Sequence, residues 1–302
     1  MYKYVAAFLL FVSPVSAGSP SVLTDIPPVH SLVSQVMQGV GSPDVLLDKG
    51  DDPHSFQMRP SQARALSQAD LVFFVGPELT PWLERAINGV GIKGERIELI
   101  KAKGTVLRNF EEHDAPEDAA HGDGHDEHDH DGIDPHAWLS PVNAKAWLDK
   151  IAQELAGVDA ENAALYLENA SAAKARIDLL DAEIKNILLP MQDTPLIVFH
   201  DAYGYFAEHY NLTIVGAIRK GDAATPGAAH LVELRQVVSE SGVVCAFREK
   251  QHDPALLDTL FADANISIGM LDPSGTSLEY GPDLYATLMR NIAIEIAGCT
   301  DG

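Results

Sequence analysis

The feature that most constrains the fold is a run of 31 residues, 159–189, that contains neither glycine nor proline. The run is rich in strong helix formers, and Pro190 ends it. At a rise of about 1.5 Å per residue, a helix of this length extends roughly 45 Å. That is longer than a small α/β layer needs. We therefore predict a rigid helix over 159–189 that links two lobes.

The sequence on both sides of this run alternates apolar segments with amphipathic ones. Leu71–Val75 and Leu196–Phe199 are typical of buried strands, and each is followed by a helical pattern. Such alternation predicts the α/β class, with parallel sheets covered by helices. We expect an N-terminal lobe at 18–158, which includes a loop rich in histidine and acids at 111–134, and a C-terminal lobe at 190–302.

The first 17 residues have the composition of a secretory signal peptide. Lys3 supplies a positive start, Val5–Val12 is an apolar run too short to span a bilayer, and small residues lead up to Ala17. We predict cleavage after Ala17 and export, into a bacterial periplasm. No later segment reaches 18 uninterrupted apolar residues, so we expect no membrane span elsewhere.

The charge balance limits the class of partner. The chain carries 44 acidic and 21 basic residues, for a formal net charge of −23. A nucleic-acid-binding protein needs a basic face, so this class is excluded. A strongly acidic protein attracts cations instead.

The segment 111–134 holds 11 of the 44 acids, with histidines between them and no lysine or arginine. It has almost nothing apolar to bury, which predicts a solvated loop. Neutral imidazole is a common metal ligand, so the loop is predicted to bind divalent metal weakly, with zinc as the metal. The alternative is a disordered spacer. The histidines concerned are His113, His121, His125, His128 and His130.

Four further residues predict a tighter metal site. The motif Asp-Pro-His occurs twice, ending at His54 and at His136, and proline should make each a rigid turn that presents its imidazole. His200 and Asp272 each follow a predicted strand, and ligands of open α/β sheets bind beyond the carboxyl ends of strands. Three imidazoles and one carboxylate complete a tetrahedral zinc shell.

Each of these residues also has an ordinary interpretation. A histidine at a strand end is more often a hydrogen-bonded structural residue, and Asp272 could instead cap the turn before Pro273. Glu249, after the predicted strand 243–247, is a competing carboxylate ligand. The duplicated Asp-Pro-His motif favours the metal interpretation. The other histidines are predicted to be surface or packing residues: His30, His209, His230 and His252.

Two cysteines, Cys245 and Cys299, are present. An even count in an oxidising compartment predicts one disulfide, which would tie the last helix to the strand that carries Cys245. A thiolate zinc site is the rival hypothesis. It is disfavoured because the periplasm oxidises thiols and the chain has no Cys-x-x-Cys pair.

Taken together, these motifs resemble those of the zinc-binding proteins of bacterial zinc ABC importers, the ZnuA type, which belong to the metal-specific solute-binding proteins with a rigid interlobe helix. The likeness covers essentially the whole chain after the signal. Its most specific part is Phe-His-Asp-Ala-Tyr-Gly at 199–204 together with the histidine-rich loop. The other segments that carry it are 52–54, 59–61, 71–76, 81–84, 134–141 and 271–275.

The resemblance implies that His54, His136 and His200 hold zinc. It also implies that the motif containing Asp272 supplies the fourth ligand, as in many members, whereas water or another carboxylate does so in some. It also implies a disulfide between the two cysteines. Two departures stand near Asp272. Ser274 replaces the leucine usual in that turn, and Phe-Arg-Glu-Lys at 247–250 differs from the usual Phe-Ala-Glu-Pro. Manganese-binding relatives typically place glutamate where His200 stands, and a third imidazole favours zinc over manganese.

We therefore predict a protein that captures zinc and delivers it to an inner-membrane ABC permease. It is expected to be a monomer and not an enzyme, and no catalytic residue is assigned. Two alternatives remain. A secreted zinc hydrolase would need an open coordination position and a general base, for which Glu249 is the one candidate. A stand-alone periplasmic zinc buffer or chaperone would use the same ligands without a transporter.

Overall fold

The computed structural model of the protein describes residues 18–110, 132–219, 226–250, 257, 260–261 and 266–299. The predicted signal peptide, residues 111–131 of the histidine-rich loop and most of the helix expected at 254–264 lie outside these residues. Their predictions therefore stay predictions.

Two four-stranded sheets form the framework, and every strand pair in them is parallel. The predicted α/β class with two parallel sheets is confirmed. The strands of the first sheet are β1 (Val22–Thr24), β2 (Asp44–Val45), β3 (Leu71–Phe74) and β4 (Glu95–Glu98). Those of the second are β5 (Pro195–His200), β6 (Thr213–Arg219), β7 (Cys245–Glu249) and β8 (Ser267–Leu271).

Helices connect and cover these strands. Four of them begin with proline in the first turn, where its missing N–H costs no hydrogen bond. The helices are α1 (Pro27–Val36), α2 (Pro60–Gln68), α3 (Pro81–Val90), α4 (Pro141–Val158), α5 (Ala163–Leu188), α6 (Gly204–Tyr210), α7 (Ala228–Ser241) and α8 (Leu284–Gly298). Short 3₁₀ turns occur at Leu99–Lys101, Ala137–Leu139 and Leu189–Met191.

The two sheets have the same topology. The strand orders are β2-β1-β3-β4 and β6-β5-β7-β8, so in each sheet the first strand lies between the second and the third. The direction of the chain across the sheet reverses between the first and third strands. Open α/β sheets bind their ligands at such a reversal, in the crevice beyond the carboxyl ends of the strands.

The linking helix begins later than the sequence predicted. It starts at Ala163, after a turn in which the Asp159 carboxylate accepts hydrogen bonds from Asn162 and Tyr166. With 26 residues it is about 39 Å long. Helix α5 packs antiparallel to α4: Lys145 pairs with Asp178, whereas Asp149, further along α4, pairs with Lys174, which lies earlier on α5.

The hydrophobic core is continuous between the two sheets. One cluster runs from β1 and β3 through α1, α4, α5 and α8 to β5 and β7. Side chains from α5, such as Ile177 and Ile184, are buried in it. A second, smaller cluster covers the other face of the second sheet, around Phe199 and Leu234. Because the lobes share one close-packed core, large movements between them would expose apolar surface to water.

Hydrogen bonds also join the two halves. Trp138 Nε1 donates to the Pro273 carbonyl at 2.8 Å, and the Tyr285 hydroxyl donates to the Trp138 carbonyl at 3.0 Å. The Trp138 and Tyr285 residues are almost completely buried. These bonds fix the segment after β8 against the segment that carries His136.

The predicted disulfide is confirmed. Cys245 and Cys299 are bonded, with Cα atoms 6.0 Å apart, and they join the start of β7 to the end of α8. The thiolate zinc site is thereby excluded, because both sulfurs are used. Among the described helices, none combines the length and the apolar character that crossing a bilayer requires.

Candidate metal centre

Three histidines from distant segments converge in the crevice between the two sheets. His54 lies in the loop between β2 and α2, His136 precedes the 3₁₀ turn at 137–139, and His200 is the last residue of β5. Each offers a ring nitrogen, and the three nitrogens lie within 4.8 Å of one another. His136 and His200 are buried, and His54 is partly exposed.

The two Asp-Pro-His motifs adopt the same local structure. In each, the aspartate Oδ1 accepts a hydrogen bond of 2.9 Å from the backbone N–H of the histidine, as Asp52 does for His54 and Asp134 does for His136. This is an Asx turn, and proline between the two residues restricts it further. The rigid turns expected from the sequence are present, and both direct their histidines into the crevice.

Two of the imidazoles have a carboxylate behind them. His136 Nδ1 lies 2.8 Å from Asp134 Oδ1, and His200 Nδ1 lies 2.7 Å from Glu249 Oε1. Tyr203 donates its hydroxyl hydrogen to the same Glu249 oxygen at 3.0 Å. All of these side chains are buried. A carboxylate accepts only, so in both rings the hydrogen is on Nδ1.

This arrangement brings the two Nε2 atoms face to face, and each has a lone pair available whenever its ring is neutral. His136 Nε2 and His200 Nε2 are 3.2 Å apart. Zinc–nitrogen bonds of about 2.0–2.1 Å in a tetrahedral shell place two nitrogens about 3.3 Å apart. The observed separation therefore matches one edge of a zinc tetrahedron. At this distance either a hydrogen on one of the nitrogens or a cation bound by both would join the two rings.

The third imidazole is suited to the same task. Burial holds the pKa of His54 well below its usual range, and the nearby His136 and His200 rings add to this shift when they carry charge. His54 is therefore neutral at pH 7, which is the form that binds a metal ion.

Asp272 is held in a different way. Its Oδ1 accepts from Gly275 N at 2.8 Å, and its Oδ2 accepts from the N–H and the hydroxyl of Ser277 at 3.3 and 2.9 Å. These bonds are the turn-capping role that the sequence also allowed. Within the described residues, the group of converging ligand atoms consists of the three histidines. The assignment of Asp272 as fourth ligand stays a prediction.

Glu249 contacts the Nδ1 atom of His200 and is not in the group of converging ligand atoms found among the described residues. The sequence allowed Glu249 as a competing ligand or as the general base of a hydrolase. In the structure its Oε1 accepts hydrogen bonds from His200 and Tyr203. An oxygen with these two partners orients the imidazole, as carboxylates behind metal-binding histidines commonly do.

The other histidines that the structure describes are not part of the cluster. His30 Nε2 contacts the Pro43 carbonyl, His209 pairs with Asp181, and His230 Nε2 contacts the Ala217 carbonyl. His252 and the loop histidines lie outside the described residues: His113, His121, His125, His128 and His130.

Sequence reasoning missed the residues that contact or flank the candidate ligands. Asp134 was assigned only to its turn, and Tyr203 only to the Phe-His-Asp-Ala-Tyr motif. Asp25 was also missed. It is fully buried at the end of β1, and its Oδ2 accepts from Val75 N beyond the end of β3. Asp25 thus links the ends of β1 and β3 in the first sheet, as the contact between His200 and Glu249 links the ends of β5 and β7 in the second. A buried-type strand that ends in an acid was the available signal.

Comparison with known proteins agrees with this geometry. Residues 22–299 match the family described as "Zinc-uptake complex component A periplasmic". The chain is 45% identical over 304 residues to the high-affinity zinc uptake system protein ZnuA of Paracoccus denitrificans, with 95% of this chain and 93% of that protein covered. It is 34% identical over 321 residues to the protein of the same name from Brucella abortus, with 95% and 93% covered.

Solved structures show the same fold. A crystal structure of ZnuA has a TM-score of 0.76 at 26% identity, covering 93% of this chain and 99% of that one. A zinc-bound ZnuA deletion mutant has a TM-score of 0.76 at 25% identity, covering 93% and 98%. The match extends over both sheets and the linking helix, and with it the chain belongs to the family of periplasmic component A of zinc-uptake complexes.

Proposed function

We propose that the protein captures zinc in the periplasm and delivers it to a membrane ABC permease, with His54, His136 and His200 as ligands. One observation carries the ligand assignment. Three imidazoles from separate segments meet within 4.8 Å, and two of them present Nε2 atoms 3.2 Å apart. Imidazole nitrogen suits zinc, whereas manganese and magnesium prefer oxygen ligands.

Asp272 is proposed as the fourth ligand. It directly precedes Pro273, whose carbonyl accepts the Trp138 Nε1 hydrogen. The Trp138 ring in turn lies 5.2 Å from the His136 ring, centroid to centroid. A carboxylate has about four lone-pair sites, so the bonds from Gly275 and Ser277 leave capacity for a metal ion.

The histidine-rich loop is proposed to be a weaker collector of zinc. Its role is separable from that of the three-histidine site, because none of the three ligands lies within 111–131. Deletion of 111–131 is expected to leave one tight zinc ion per chain and to remove weak additional binding. Titration of both forms by calorimetry measures this. Loss of the tight ion on deletion would refute the division of roles.

The family is that of a periplasmic uptake component, which identifies binding and transfer as the activity. A signal peptide cleaved after Ala17 and a monomeric state belong to the proposal. Mass spectrometry of the exported protein tests the first: the account expects a mature chain that starts at Gly18. Light scattering with and without zinc tests the second, and a stable dimer would contradict it.

The ligand assignment is tested by substituting one histidine at a time. We expect His54→Ala, His136→Ala and His200→Ala each to lower zinc affinity strongly in competition with a chelator. His230→Ala is the matched control, because its Nε2 contacts the Ala217 carbonyl outside the cluster. Equal affinity in wild type and in any of the three ligand variants would remove that residue from the site.

A further inference from the structure

A single tyrosine hydroxyl joins the two lobes directly beside His136. Tyr205, on α6, accepts a hydrogen bond from Arg108 N at 2.9 Å and donates one to the Asp134 carbonyl at 3.0 Å. Asp134 N donates in turn to the Arg108 carbonyl at 2.8 Å. Arg108 and Asp134 follow the first sheet, whereas Tyr205 follows β5 of the second. The three residues thus connect the lobes through a closed set of hydrogen bonds.

The Asp134 carboxylate at this junction is fully buried. Its Oδ1 accepts both His136 hydrogens, from the backbone and from Nδ1. Its Oδ2 has no hydrogen-bond partner within the described residues, and the Arg108 Nη1 lies 3.5 Å away. A buried carboxylate is costly unless a charge compensates it. The Arg108 guanidinium supplies that charge.

Arg108 occupies this place only because residue 204 is glycine. A Cβ atom at Gly204 would lie 2.2 Å from Arg108 Nη1 and 2.4 Å from Arg108 Cζ. Gly204 is the first residue of α6 and does not have a positive φ, so its backbone accepts alanine. The glycine is therefore explained by the close approach of the guanidinium rather than by the backbone.

We infer that Arg108, seated against Gly204 and fixed by Tyr205, is a positioning residue of the zinc site that acts through Asp134. We name Arg108, Asp134, Gly204 and Tyr205 the interlobe clasp. The clasp places the charge of Arg108 beside the Asp134 carboxylate that contacts His136 Nδ1, and two of its members, Gly204 and Tyr205, come from the second lobe. Separation of the lobes removes Tyr205 and the surface of Gly204 from Arg108, so the clasp links lobe arrangement to the orientation of a zinc ligand.

The inference rests on the proposed function, and Gly204→Ala tests it without altering any ligand. The added methyl group forces the guanidinium away from Asp134. A cavity of about 240 Å³, lined in part by Arg108, Asp201 and Gly204, provides space for the displaced side chain, so the fold is expected to survive. Gly157→Ala is the matched control, a helical glycine with nothing within 4 Å of the added Cβ.

We expect Gly204→Ala and Arg108→Gln to weaken zinc binding about 10–100-fold, the range typical when a partner of a metal ligand is lost. Arg108→Lys should recover part of the loss. The visible spectrum of the cobalt-loaded protein should change in both weakened variants and remain that of wild type in Gly157→Ala. A merely structural role would lower thermal stability without changing this spectrum.

Wild-type affinity and an unchanged cobalt spectrum in Gly204→Ala would overturn the inference, even if Arg108→Gln failed to fold. Failure of the proposed function is distinguishable, because wild type itself would then bind no stoichiometric zinc. Weakened binding with an altered spectrum in Gly204→Ala, alongside normal behaviour of Gly157→Ala, supports the clasp.

Discussion

Glu249→Gln is the substitution that most sharply separates a zinc ligand from a residue that orients one. Glu249 Oε1 accepts a 2.7 Å bond from His200 Nδ1 and a 3.0 Å bond from the Tyr203 hydroxyl. Glutamine keeps the shape and one oxygen acceptor but removes the charge. The hydrogen bond to His200 should weaken, and the imidazole should become a poorer and less fixed ligand.

The magnitude follows from the contacts that are lost. Loss of the charge on the partner of a metal-binding histidine lowers affinity about 10–100-fold, which corresponds to about 1.4–2.7 kcal/mol. Tyr203→Phe removes a hydrogen bond to the carboxylate, worth about 1.5–3 kcal/mol to the fold, but it keeps the charge of Glu249 and its bond to His200, so its effect on zinc affinity should be smaller. Glu249→Ala is a poorer test. It leaves the buried Tyr203 hydroxyl without this acceptor, at a cost of about 1–3 kcal/mol to the fold.

The assay is chelator competition at pH 7 on metal-free protein, with Glu249→Gln and Tyr203→Phe measured beside His200→Ala. We predict that zinc affinity decreases from wild type to Tyr203→Phe, then to Glu249→Gln, and is lowest in His200→Ala. An affinity of Glu249→Gln equal to wild type would show that the carboxylate does not support His200. A loss as large as that of His200→Ala would show instead that Glu249 binds zinc directly.

Three further predictions concern stability in the absence of metal, measured by urea unfolding or thermal melting. Because burial lowers the pKa of His54 in the folded state, the free energy of unfolding should fall as the pH drops below about 6.5. His54→Gln should make this pH dependence shallower by up to about 1.4 kcal/mol per pH unit. Equal slopes in wild type and variant would contradict the lowered pKa. Burial raises the pKa of Asp25 to about 7, so its contribution to the free energy of unfolding should decrease by at most about 4 kcal/mol as the pH rises from about 4 to 7. Asp25→Asn should remove this pH dependence. A profile of stability against pH that is unchanged in the variant would refute the raised pKa. Replacing both Cys245 and Cys299 by alanine opens a loop with a sequence separation of 54 and should cost about 4 kcal/mol. Zinc affinity should survive that change, because Cys245 begins β7 whereas Glu249 ends it; a large loss of zinc affinity would contradict this separation.

The fold class was predictable because local sequence patterns indicate each strand and each helix, and these elements alternate along the chain. Leu71–Phe74 reads as a buried strand, and Pro60–Gln68 as a helix with proline in its first turn. The break at 159–162 was not predictable, since it contains no glycine or proline. There, the Asp159 side chain bonds Asn162 and Tyr166, and packing of α5 against α4 decides where the helix begins.

The part of the site that could be predicted is the part that lies in turns and at strand ends. The two Asp-Pro-His motifs and the position of His200 after a strand are local features, and the structure brings all three histidines together. The support behind them depends on strand order, which local patterns do not specify. Glu249 meets His200 because β7 lies next to β5, and Arg108 meets Asp134 because the chain returns beside itself after the histidine-rich loop.

The central claim is that three imidazoles bind one zinc ion between the two sheets. X-ray absorption at the zinc edge tests it most directly, on protein that lacks residues 111–131 and carries one zinc ion per chain. The account predicts three imidazole nitrogens at about 2.0–2.1 Å and one oxygen at about 2.0–2.2 Å, with no sulfur. A shell with fewer than three imidazoles, or one unchanged in His200→Ala, would contradict it.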